Sequence, residues 1–247
     1  MTLRVKSYLL PLCVLVLAYA GCNSGAPGAN GGAAPASGGN SSAAASGGGG
    51  SSSSSAGAGA AAISADDKPH DVMMKAVRAQ LDARSYRAHV TTSMGGGPEN
   101  KMVIEYVAPD RYRMVGEMQG GKQEFVIAGG AAYIKGPNGQ WVKSPVNVAD
   151  IVKQFRDPKV LEDMAKTTDI KLVGPDTVDG TPALIYEYTQ NNVMGMNMKS
   201  TARTWLAVSD GMPRKTEAEG EYDGKKTKTL VTMSDYNSDI KIEAPLN

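Results

Sequence analysis

From Tyr86 to Tyr236 apolar and polar residues alternate in short runs divided by turn residues, the period-two pattern of antiparallel strands. The runs predict strands at Tyr86 to Met94, Lys101 to Val107, Arg111 to Met118, Gln123 to Ala128, Ala132 to Lys135, Gln140 to Lys143, Lys171 to Val173, Ala183 to Thr189, Ala202 to Val208, Lys215 to Tyr222 and Lys225 to Tyr236. Ahead of them Met73, Val77 and Leu81 recur at i, i+4 and i+8, with Ala76 beside them and Pro69 near the first turn. Lys75, Arg78 and Asp82 take the other side, so this segment predicts an amphipathic helix with one buried stripe. A second helical stretch spans Val148 to Ala165, broken near Pro158, with Val148, Ile151, Val152, Phe155, Leu161 and Met164 as its apolar set. The chain is expected to be mainly β with flanking helices.

Three dipeptides mark turns between strands: Asn138-Gly139, Asp179-Gly180 and Asp223-Gly224 suit the positive φ angles of two-residue hairpin loops. The last fixes a register, pairing Tyr222 with Lys225, Glu221 with Lys226 and Glu219 with Lys228, so that opposite charges face one another. The other side of that hairpin carries Ala218, Gly220, Thr227 and Thr229, small residues that leave open space beneath the sheet. Alternation also collects a greasy face. Met102, Ile104 and Tyr106 oppose Lys101 and Glu105, while Tyr112, Met114 and Met118 oppose Arg111, Arg113 and Glu117. Phe125, Tyr133, Tyr186 and Trp205 extend the set, although Val126, Ile185 and Leu206 leave some strands apolar on both sides.

Composition sharpens this reading. The chain has 13 Met and only 2 Phe, and every Met but the first lies beyond the N-terminal region. Thioether side chains fill irregular space and adapt to varied apolar partners, which suits flexible acyl chains as well as an ordinary core.

The N-terminus predicts export. Arg4 and Lys6 precede an apolar run from Leu9 to Ala20, too short to span a bilayer, and Leu17-Ala18-Tyr19-Ala20-Gly21-Cys22 resembles a bacterial lipobox. Cys22 is then the lipid anchor. Ala18-Tyr19-Ala20 also reads as an ordinary cleavage site, which would release a soluble protein. The one other cysteine, Cys13, lies inside the signal and cannot pair with Cys22 in the mature chain. From Asn23 to Ala62 every residue is Gly, Ser, Ala, Asn or Pro, a composition that cannot offset its ordering entropy. Such a tether has a typical span of roughly 35 Å and stretches to about 130 Å. The organisation is therefore a signal over 1–21, a lipidated cysteine and tether over 22–63, and one folded domain over 64–247. Loss of Arg4 and Lys6 moves the formal charge from +1 to slightly negative, which gives nucleic acid no basic surface to bind.

Motifs for catalysis are missing. His70 and His89 are the histidines, there is no Gly-x-Ser-x-Gly elbow, and no cysteine follows Cys22. Gly95-Gly96-Gly97 lacks the Lys and helix of a phosphate cradle, and the alternating Glu217, Glu219 and Glu221 are expected to pair with lysines rather than hold a cation. Met194, Met196 and Met198 put three thioethers at period two, which fits either a mobile apolar lip at a cavity mouth or a soft Cu(I) site in an exported protein.

One series of motifs carries a family resemblance. Ile104-Glu105-Tyr106-Val107-Ala108-Pro109-Asp110-Arg111-Tyr112-Arg113 resembles the strand-turn-strand signature of the lipoprotein-localisation (LolA/LolB-like) superfamily, which includes the LppX/LprG-type lipoproteins. Ala132-Tyr133-Ile134-Lys135, Trp141, Asp179-Gly180-Thr181-Pro182-Ala183, Thr204-Trp205-Leu206 and Gly211-Met212-Pro213 follow in the expected order, over nearly all of residues 70 to 245. The resemblance implies an incomplete, strongly curved antiparallel β-barrel, helices closing its mouth, and a hydrophobic cavity for acyl chains of lipids or lipoproteins. It implies no enzyme and no cofactor. The expected lining is Met102, Ile104, Tyr106, Met114, Met118, Phe125, Tyr133, Tyr186 and Trp205. No position matches the carrier's cavity arginine. The expectation is a monomeric, membrane-anchored lipoprotein, on the outer membrane facing the periplasm because Asn23 rather than Asp follows Cys22. The rival is an envelope sensor or accessory protein that uses the same half-barrel to bind a protein.

Overall fold

The computed structural model describes residues 61–118, 121–145, 169–191, 199–222 and 224–245. Among the described residues one helix, α1 (Pro69–Asp82), precedes β1 (Ser85–Met94), β2 (Asn100–Val107), β3 (Arg111–Met118), β4 (Gly121–Ala128), β5 (Ala131–Lys135) and β6 (Trp141–Lys143). After the helical stretch expected over 148–165, which lies outside the described residues, come β7 (Ile170–Val178), β8 (Thr181–Asn191), β9 (Lys199–Ala207), β10 (Pro213–Tyr222) and β11 (Lys225–Ser234). All pair antiparallel in one curved, open sheet of order β6-β5-β4-β3-β2-β1-β11-β10-β9-β8-β7. This is the half-barrel the sequence predicts.

The order follows from two local meanders joined at one seam. Each meander pairs neighbours in sequence, and β1 meets β11 along a register from Arg87↔Ser234 to Met94↔Thr227. The last hairpin has the expected register, with Glu219↔Lys228, Glu221↔Lys226 and Tyr222↔Lys225. Asp179 (φ 47) and Gly180 (φ 79) form the expected two-residue loop with both residues left-handed. Asn138-Gly139 does not: it sits in a wider loop closed by the Gly136 N–H to the Gln140 carbonyl at 2.8 Å. The Gly129-Gly130 pair (φ 60 and 75), not singled out in the sequence, makes the tight turn from β4 to β5. Strand β7 runs well past the expected Val173 because its ladder shifts register between Leu172 and Gly174, an irregularity that carries Pro175 along the sheet edge.

The sheet has an inner face, which carries α1, and an outer face. Val72, Met73, Ala76, Val77 and Ala79 of α1 are buried, while Leu81 is partly exposed, so the buried stripe is rotated from the one predicted. Val72, Met73 and Ala76 pack with Leu184, Tyr186, Tyr188 and Leu206 of the second meander, and Ala79 packs with Tyr86, Ile104 and Tyr106 of the first. Each fully buried side chain of Val or Met size contributes about 1.5–3 kcal/mol. On the outer face Ile240 and Ile242 of the C-terminal tail cover Val107, Val126, Ala128, Tyr133 and Trp141. Arg111 fixes the tail there by donating from Nη1 to the Ile242 carbonyl at 2.6 Å.

Candidate functional site

Cross-strand register places the sequence's lining candidates in rows. The first inner row runs Tyr86↔Tyr106↔Tyr112↔Ile127↔Ala132, and the second runs Ala88↔Ile104↔Met114↔Phe125↔Ile134↔Val142. A third row is longer, from Leu172 through Tyr186, Thr204, Thr216, Val231, Val90 and Met102 to Gly116. Gly116 is required there, because a Cβ would stand 2.9 Å from the Lys101 carbonyl and 3.2 Å from Met102 Cβ.

So Met102, Ile104, Tyr106, Met114, Phe125 and Tyr186 share the inner face. Ile104, Tyr106, Met114 and Tyr186 are buried in packed clusters, whereas Met102 and Phe125 are only partly buried. Tyr106 stacks between Tyr86 and Tyr112, with centroids 5.0 and 4.9 Å away. Substitution of Ile104 or Met114 therefore tests the core before it tests a ligand surface.

Tyr133 and Trp205 lie on the opposite face, contrary to expectation. Tyr133 packs under the C-terminal tail, which the sequence did not reveal. Trp205 takes the outer side because Thr204 and Leu206 on either side of it turn inward; its indole donates to Asp176 Oδ2 at 2.7 Å, with Lys215 Nζ 4.2 Å from its ring centre. The Trp205 hydrogen bond, then that of the Thr177 amide, hold the Asp176 carboxyl below its usual range. Met118 ends β3 opposite Gly121, and Met194, Met196 and Met198 lie outside the described residues.

Beyond the third row the second meander carries small side chains. Ala202, Ala218, Thr229 and Thr92 are aligned, followed by Ser200, Gly220 and Thr227, which pairs with Met94. Ala218, Gly220, Thr227 and Thr229 are partly exposed, Met94 is 37 % exposed and Val142 60 %. Small side chains thus leave this part of the inner face less filled than the first two rows, with Ala202 and Ser200 buried and the others partly exposed.

The same face carries hydroxyls. Tyr188 Oη lies 3.2 Å from Thr204 Oγ1, which is 3.0 Å from Thr216 Oγ1, all three side chains being buried. Burial pushes the Tyr188 phenol up to about 12 against the hydrogen bond from Thr204. Among the described residues, Tyr186 Oη and Arg214 Nη1 are buried without a hydrogen-bond partner. Arg214 donates from Nη2 to Asp210 at 2.6 Å and lies over the Tyr236 ring, whose hydroxyl donates to the Pro213 carbonyl at 2.7 Å.

The outer face is charged. Arg87, Glu105, Arg113, Glu124 and Lys135 form a ladder across β1 to β5, with Arg113 to Glu124 at 2.9 Å and Lys135 to Glu124 at 3.1 Å. Partial burial raises the Glu124 pKa, but hydrogen bonds from Lys135 and Arg113 and their charges outweigh it, leaving the carboxyl below its usual range. Over the second meander a groove of about 500 Å³ is lined by Thr91, Glu187, Arg203, Glu217, Lys228 and Leu230 among others. Its charges pair across strands, Arg203 with Glu187 at 2.7 Å and Lys228 with Glu219 at 2.8 Å, as a solvated face does.

No family model matches the chain, and no curated protein does. Solved structures do. The lipoprotein LppX of Mycobacterium tuberculosis is 12% identical with a TM-score of 0.53, over 70% of this chain and 97% of that one. LprF of Mycobacterium bovis is 12% identical with a TM-score of 0.51, over 72% and 97%. At this identity the likeness concerns the backbone, and the chain has the LppX-type fold.

Proposed function

We propose that this protein is a lipid-anchored lipoprotein of the cell envelope that shelters acyl chains of a lipid or lipoprotein on the inner face of its half-barrel. The observation that carries the reading is the run of small inward residues Ala202, Ala218, Gly220, Thr227 and Thr229, aligned across β9 to β11 beyond the row of Met102 and, Ala202 apart, partly exposed. Each methylene removed from water there is worth ~0.8 kcal/mol, so a modest length of acyl chain is held without a polar contact. Cys22 is the anchor, residues 22–63 the tether and residues 64–247 the working domain, without catalysis or cofactor. The likeness to the mycobacterial lipoprotein LppX supports the reading.

The test is native mass spectrometry of the full chain exported as Cys22→Ala, which keeps the Ala18-Tyr19-Ala20 cleavage site. A bound acyl lipid near one per protein is expected. An empty protein that also refuses a fluorescent fatty acid would favour the second reading, an accessory protein that binds a protein partner. One observation favours that alternative: Ile104, Tyr106 and Met114 already fill the inner face of the first meander.

A further inference from the structure

A buried hydroxyl without a partner carries a cost comparable to a lost hydrogen bond, and each such group in a native fold calls for a reason. Arg214 Nη1 is the weaker of the two cases, because its guanidinium is already neutralised by Asp210 and keeps some solvent contact. Tyr186 has no such relief. Its side chain is 0 % exposed, packed among Ile63, Val72, Met73, Ala76 and Leu206, and its hydroxyl meets no acceptor among the described residues. The neighbouring row shows that this face can satisfy hydroxyls when they serve the fold: Tyr188, two residues along the same strand, is tied to Thr204 and through it to Thr216.

We propose that the Tyr186 hydroxyl is the polar contact of the acyl site, donating a hydrogen bond to the carbonyl oxygen of a neutral ester in the bound lipid. This rests on the acyl-binding reading above. The position suits it: Tyr186 lies one row from the small floor of Ala202, Ala218 and Thr229, and Thr204, Thr216, Val231 and Val90 continue its row to Met102. Burial, and then the charge of Asp67, raise the phenol's pKa, so it stays a donor at neutral pH. The apolar surroundings of the hydroxyl, Ile63, Val72, Met73, Ala76 and Leu206, favour an uncharged acceptor over a carboxylate or phosphate. Access requires the first half of α1 to lift. That half is held by the packing of Val72, Met73 and Ala76, and at its entry by Asp67, which accepts the Ser64 amide at 3.1 Å and pairs with Lys75 at 3.5 Å, so the bound chain takes the place of this packing.

The experiment compares a pyrene-labelled fatty methyl ester with a pyrene-labelled alkane of equal length, on the full exported chain and on its Tyr186→Phe variant, with melting curves of both empty proteins. The expected result is an ester preference of about fivefold in the parent, the worth of one neutral hydrogen bond, and none in Tyr186→Phe. Alkane binding stays unchanged, and the empty variant melts no lower than the parent. A preference that survives the substitution overturns the proposal, as does equal loss of both probes. A variant that melts several degrees lower with its preference intact shows instead that the hydroxyl serves the fold through a buried water. If the parent takes up neither probe, the acyl-binding reading itself fails, a result distinct from the others.

Discussion

The two meanders use one backbone plan for different purposes. Strands β1 to β6 are packed on both faces: tyrosines, Ile104 and Met114 fill the inside, and Ile240 and Ile242 cover the outside. Strands β7 to β11 pack Leu184, Tyr186, Tyr188 and Leu206 under α1, put alanines, threonines and a glycine beyond them on the inside, and leave a charged groove outside. Both halves pack on α1, the first through Ala79 and the second through Val72, Met73 and Ala76, and the first core also takes in Met212, Val231 and Met233 of the second half. Large side chains therefore mark where the protein holds itself together, and small ones mark the floor on which the proposed acyl site rests.

That contrast is broken or sharpened by four experiments. Tyr106→Ala removes a ring that is 0 % exposed between two others and should cost about 4 kcal/mol in urea unfolding. A cost below about 1.5 kcal/mol would mean that the first half is not the packed one. Arg111→Ala frees the tail from the outer face and should cost about 2 kcal/mol, with faster amide exchange at Ile240 and Ile242. Unchanged exchange would remove the second packed layer from the picture.

Ala218→Leu addresses the other half. It should leave stability within about 1 kcal/mol, where overpacking a filled core costs 1–3 kcal/mol, yet cut uptake of a fluorescent fatty acid about tenfold. A large stability loss with unchanged uptake would show the floor to be core. The smallest effect concerns charge. Glu124, 12 % exposed, has a depressed carboxyl pKa in the fold, so its contribution is complete above the ordinary carboxylate value and fades as pH falls through the folded one. Glu124→Gln should flatten the acid limb of the stability curve, while Glu219→Gln, at a carboxylate 70 % exposed, should leave it unmoved.

How much of this the sequence disclosed depended on whether one signal decided the matter alone. Where alternation was clean, as in Met102, Ile104 and Tyr106 against Lys101 and Glu105, both strand and face followed. Where a strand was apolar on both sides, parity had nothing to choose by, and Tyr133 and Trp205 went to the outer face. Tyr133's cover comes from residues more than a hundred positions away, a contact no local pattern announces. The Asp223-Gly224 hairpin was legible to the residue because its turn and its charge pairs agreed. Tyr186 was legible as an apolar position, but its unanswered hydroxyl emerges only once its neighbours are in place.

The seam between β1 and β11 has a consequence in time. Arg87 and Asp235, which meet across it, are 148 residues apart in sequence. Hairpins within either meander close short loops quickly, but this pairing waits for nearly the whole domain and bears the largest loop-closure cost. In a chain exported N-terminus first, as proposed, β1 has only β2 beside it until residues 225–234 have followed. The two meanders therefore become one sheet only when the last strand arrives.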